Sequence, residues 1–271
     1  MHKSLWGAYA AAFMCATSLT TFADEMIAIS PIRVEFQPNQ SIQTVTLSNR
    51  DSKPQRFKIS AADQVMDAEG NTRDAETFEY SAKKLIRFSP RQIEVAPGGR
   101  QNVRIMVTRP QGLPDGDYHT HLLFTQEQIP LAELPVSETK PDSKPARGAR
   151  MSLSTIFDVA IPLVVQSGKV SSSVVLNTLV FETRPEGKRI LKGNFTRVGN
   201  AEGKLFVRVV NSKGENLVTP KIVRLYREVN TANIAFDLND FGRNYQGPAK
   251  VIIKADKDEK SPVISSRELV F

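Results

Sequence analysis

Short alternating runs of apolar and polar residues recur along the whole chain, separated by turn residues, and helical periodicity is almost absent. A spacing of two is the period of a β-strand with one buried face. The runs "SIQTVTLSN", "QRFKISA", "QIEVAPGGRQNVRIMV" and "DYHTHLLF" are of this kind. In the third, Val103, Ile105 and Val107 share one face and Asn102 and Arg104 the other, after a turn at Ala96-Pro97-Gly98-Gly99. About seven such strands at spacings of roughly 8 to 15 residues predict an antiparallel sandwich. The polar segment "DAEGNTRDAETFEYSAKK" is predicted as a loop with at most one helical turn.

A short hinge is predicted at Gln166-Ser167-Gly168-Lys169, and beyond it the alternation restarts with "SVVLNTLVF", "RILKGNFTRVGN", "KLFVRVVNSKGENLV", "KIVRLY", "ANIAFDL", "PAKVIIKAD" and "VISSRELVF". The fold class is therefore all-β, with one sandwich domain over 24–166 and a second over 167–271. Residues 1–23 read as a secretory signal peptide: Lys3 precedes an apolar run that ends at Thr21-Phe22-Ala23. The run is short for a membrane span, and no later stretch approaches the roughly 20 apolar residues a span needs. An exported, soluble protein that is not membrane-embedded is expected. The only cysteine, Cys15, goes with the signal, and Ala12-Phe13-Met14 before it is a poor lipidation site.

The formal charge of +7 falls to +6 when Lys3 leaves. The basic residues are interleaved with acids and form no stripe with aromatics, so nucleic acid is not expected as a partner. Catalytic constellations are thin. Histidine occurs only at 2, 119 and 121. His119 and His121 are two apart and share a strand face, which makes them weak candidates for a metal pair, with no cysteine or further histidine to complete the set. Asp115 and Asp117 sit in a turn, where aspartate is favoured for local hydrogen bonding. No Gly-rich phosphate loop and no nucleophile motif is present. We expect no enzyme, no catalytic residue and no cofactor.

The stretch "MSLSTIFDVAIPLVV", residues 151–165, carries the clearest functional signal. Met151, Leu153, Thr155, Phe157, Val159 and Ile161 fall on one face; Ser152, Ser154 and Asp158 fall on the other. It follows a Pro-rich, charged loop, "SETKPDSKPARGAR", with nothing adjacent to cover so long an apolar face.

The order of motifs resembles the periplasmic pilus chaperones of the PapD-like family: "ISPIRVEF", "VTLSNRDSKP", "RFSPRQIEVAPGGRQNVRI", "LPDGDYHTHLLF", and then the long strand. The likeness covers most of residues 25–170, and its most specific element spans 89–105. It implies two immunoglobulin-like sandwiches in a boomerang arrangement, with a cleft between them. It also implies that Met151, Leu153, Thr155 and Phe157 form a strand donated to a pilus or fimbrial subunit that lacks its own, and that an outer-membrane usher receives the product. Arg33 matches the family arginine that anchors the subunit's C-terminal carboxylate. Better-known members pair it with a lysine on the donor strand, but no Lys or Arg occurs from 151 to 168. The chain is therefore similar to divergent, archaic or alternative branches, with Arg87, Arg91 or Arg150 as substitutes. A secreted two-domain surface component, structural or adhesive, is the alternative reading.

Overall fold

The computed structural model describes residues 27–127, 158–185, 189–238, 247–255 and 260–270, which form two β-sandwiches with no helix among them. One sheet of the first sandwich runs β1(Ile27–Ser30), β3(Ile42–Asn49), β8(Arg100–Val107), β6(Ile86–Ser89). The facing sheet runs β2(Val34–Phe36), β10(Asp158–Ser167), β9(Gly116–Glu127), β4(Gln55–Met66), β5(Thr72–Ala75), with β7(Gln92–Val95) also paired to β4. The chain crosses from one sheet to the other at Ser30-Pro31 and again at Ser89-Pro90, both cis peptide bonds. Alternation then decides what goes inside. Val103, Ile105 and Val107 of β8 are buried, and they meet Phe36, Leu47, Phe57 and Phe124 in a single core. Each such side chain contributes about 1.5–3 kcal/mol of hydrophobic stabilisation.

The second sandwich sets β11(Ser172–Thr183), β12(Arg189–Gly199) and β15(Thr231–Asp237) against β14(Lys221–Leu225), β13(Gly203–Asn211), β16(Pro248–Lys254) and β17(Val263–Val270). Leu191, Phe195, Leu205, Leu225, Val251 and Ile253 fill its core. Between the two units the chain turns at Gly168, whose φ of +58° lies in the left-handed region that favours glycine.

In the segment predicted as a polar loop, the structure differs from the sequence reading. Residues 72–75 form β5, which pairs antiparallel with the end of β4 from Asp63↔Ala75 to Met66↔Thr72. The Asp67 carboxylate accepts the amides of Glu69 and Asn71 at 3.0 and 2.8 Å, and so closes the turn between the strands. This hairpin reaches the second sandwich. Met66 packs against the second core, and the Ala68 carbonyl accepts the Asn233 amide at 2.6 Å.

Candidate functional site

Two charges face each other where the sandwiches meet because of alternation within a three-residue strand. Val34 and Phe36 of β2 are buried, which turns Arg33 and Glu35 to the opposite face. Arg33 donates from Nε to Glu35 Oε1 at 2.6 Å and from Nη2 to Glu202 Oε2, across from one sandwich to the other. Glu202 accepts on its second oxygen from Arg224 Nη1 of β14 at 2.6 Å. The same Arg224 nitrogen lies 3.5 Å from Glu35 Oε1, and Lys204 Nζ of β13 lies 3.6 Å from Glu35 Oε2. Behind Glu202, its own backbone amide donates to Asp117 Oδ2 of β9 at 2.8 Å.

Burial tunes these groups against their partners. It pulls the Arg33 guanidinium down, but the charges of Glu202 and Glu35 outweigh it and the net shift is upward. For Glu35 burial acts upward, yet the hydrogen bond and charge of Arg33, with Lys204 and Arg224, hold the carboxyl below its ordinary value. Asp117 is pushed up by burial, with the charges of Glu202 and Glu35 adding to it, against the downward pull of the Glu202 amide that it accepts. Beside the network lies a cavity of about 430 Å³ lined by Arg33, Glu35, Gln166, Ser172, Glu202 and Lys204.

Arg33 also stands at the end of an open strand edge. β10 pairs with β9 along its whole length, from Asp158↔Thr125 to Ser167↔Gly116. On its other side β2 pairs in parallel with Leu163, Val164 and Val165 alone. Among the described residues no strand pairs with that outer edge from Asp158 to Pro162. Because β2 begins at Val34 and runs parallel to β10, Arg33 closes the row.

Where β10 is described, the face predicted for it is the one observed: Ile161, Leu163 and Val165 enter the first core and Val159 packs against it. Met151, Leu153, Thr155, Phe157 and Arg150 lie outside the described residues. Arg87 sits on the edge strand β6 of the opposite sheet and donates to the carbonyl of Ile86 at 2.8 Å. The Arg91 guanidinium lies over the Phe88 ring, 5.2 Å from its centroid. Neither is a partner of Arg33. Glu35 was legible as the same-face neighbour two residues on from Arg33. Glu202, Lys204 and Arg224 carry no local signal, since each lies in another sandwich.

His119 and His121 share a face, as predicted, but that face is packed against the second sandwich. His119 Nε2 meets Glu228 Oε2 at 3.0 Å, and its ring stacks on Tyr226 with centroids 4.3 Å apart. Glu228 also accepts the Met66 amide at 3.0 Å. Among the described residues no group of three His, Cys, Asp or Glu side chains is placed to hold a metal ion. No described helix is long and apolar enough to cross a membrane.

No family model and no curated protein matches the chain. Solved structures do. A chain of the CsuC–CsuE chaperone–tip adhesion subunit pre-assembly complex, from archaic chaperone-usher Csu pili of Acinetobacter baumannii, aligns at 12% identity and a TM-score of 0.47. That alignment covers 90% of this chain and 96% of the other. The YadV chaperone aligns at 14% identity and a TM-score of 0.45, covering 90% and 100%. The class 5 fimbriae chaperone CfaA aligns at 14% identity and a TM-score of 0.42, covering 90% and 98%. Each of these three alignments spans nine-tenths of this chain.

Proposed function

We propose that this protein is a non-catalytic assembly chaperone of the periplasm, which captures pilus or fimbrial subunits by strand donation and hands them to an outer-membrane usher. The observation that carries the reading is the outer edge of β10 from Asp158 to Pro162, which none of the described strands pairs and which ends against Arg33. A strand laid along Asp158–Pro162, parallel to β10 and in line with β2, uses the backbone groups that no described strand pairs on that edge. Its last residue then falls at the Arg33 guanidinium, which suits a C-terminal carboxylate. The positions Met151, Leu153, Thr155 and Phe157 have the parity of Ile161, and they would fill the subunit's missing-strand slot. Four such side chains give on the order of 6–12 kcal/mol gross, reduced by association and ordering costs. In this reading the units are 24–166 and 167–271, with the signal removed after Ala23.

The test is co-production with a subunit in the periplasm. Leu153→Asp/Phe157→Asp places unpartnered charges in the slot and should abolish subunit recovery. The variant itself should still fold, because the first core beneath β10 rests on Ile161, Leu163 and Val165. Normal subunit levels beside a folded double variant would rule out donation from this face.

A further inference from the structure

We infer that Arg224, on β14 of the second sandwich, is the second cation of the carboxylate site, and that Glu35 occupies that site until a ligand carboxylate displaces it. The inference rests on the strand-capture reading above and deepens it. Its ground is that Arg33 and Arg224 converge on the same two carboxylates. Each guanidinium takes one oxygen of Glu202, Arg33 through Nη2 and Arg224 through Nη1. Both also reach Glu35 Oε1, at 2.6 and 3.5 Å. Two guanidiniums that share carboxylates in this way define the place where a third would bind by charge-assisted hydrogen bonds.

The two resident acids are not equivalent. Glu202 has a side chain only 4% exposed and a backbone amide held by Asp117, so it is built in. Glu35 is 29% exposed, against 4% for Glu202, so it is the one that can swing aside. Three cations, Arg33, Arg224 and Lys204, face the two carboxylates Glu35 and Glu202, while Asp117 stands behind them and accepts the Glu202 amide. A ligand carboxylate arriving along the β10 edge therefore meets three cations that face only two carboxylates. The missing basic residue of the strand 151–168 is thereby supplied from the other sandwich, so that the site is complete only when the two units are in contact.

The experiment measures binding of an alternating Val/Thr peptide of about ten residues with a free C-terminal carboxylate, against the same peptide with a C-terminal amide. The wild-type chain should prefer the acid by roughly tenfold or more. Arg33→Gln and Arg224→Gln should each bring the ratio near one, Arg224→Lys should keep part of it, and Arg87→Gln should leave it intact. Glu35→Gln should bind the acid peptide several-fold tighter than wild type. A melting curve on each variant separates loss of the site from loss of the fold. If wild type and Arg87→Gln prefer the acid, Arg33→Gln does not, and Arg224→Gln still does, the role of Arg224 is overturned while strand capture stands. If Glu35→Gln weakens acid binding, the displacement of Glu35 is overturned. Absence of binding to either peptide by wild type would sink strand capture and this inference together.

Discussion

Acidification should destabilise this protein from the inside, beginning at His121. The residue is buried on β9 opposite Pro162 of β10, with its ring edge-on to His119 and Tyr226. Burial, followed by the charges of His119 and Arg33, pulls its pKa from 6.5 to about 4, against an upward pull from Asp63 and Asp74. Between those values the unfolded chain binds a proton that the native chain refuses. Stability is therefore complete above the ordinary histidine range and is lost as the pH falls toward the depressed value. Integrated between about pH 7 and pH 5, the loss is about 2 kcal/mol. The assay is urea unfolding of wild type and His121→Gln at several pH values in that window. Glu35 and Glu228 have lowered carboxyl pKa values, so their stabilisation fades only at more acid pH. Asp117, raised by burial, acts with the opposite sign and gains stability as it protonates, but it is present in both proteins and cancels in the difference. The wild type should lose about 2 kcal/mol relative to the variant; parallel pH profiles would refute the reasoning.

Glu202→Gln removes the anion shared by Arg33 and Arg224, at a cost of about 2–3 kcal/mol, which calorimetry should show as a fall of roughly 4–12 °C in Tm. An unchanged Tm would mean that the network adds nothing to stability. Gly70→Ala forces a side chain onto a φ of +81° and puts a methyl within 2.5 Å of Ile234 Cδ1, so chemical denaturation should register a loss of about 1–2 kcal/mol. Phe195→Ala empties a fully buried ring site in the second core, and should cost about 3–5 kcal/mol, with faster proteolysis beyond residue 170 than before it.

Much of the strand content was legible because alternation is a local property. The inward set Val103, Ile105 and Val107 and the inward set Ile161, Leu163 and Val165 could each be read from a few consecutive residues, and so could the outward pair Arg33 and Glu35. The hairpin of β4 and β5 was not legible. Its residues are polar because β5 is a short edge strand that is largely exposed, and Met66 at the end of β4 is covered only in part, by a sandwich made from a distant part of the chain. The histidines show the same limit: the sequence could place them on one face, while Glu228 and Tyr226 alone decide that the face is packed.

What the sequence by itself determined is most of the strands, β5 excepted, the face that each alternating run buries, and the presence of Arg33 at the foot of β2. Periodicity is enough for this, because a strand's pleat sends successive side chains to opposite sides wherever it sits. Only the tertiary structure decided that no described strand pairs the outer edge of β10 ahead of Leu163, and which charges meet there. Arg33 and Glu202 are separated by 169 positions, and Arg224 joins them from a different sheet. Such partnerships depend on how two independent cores are set against each other, and no local pattern encodes a contact whose energy appears only after both have formed.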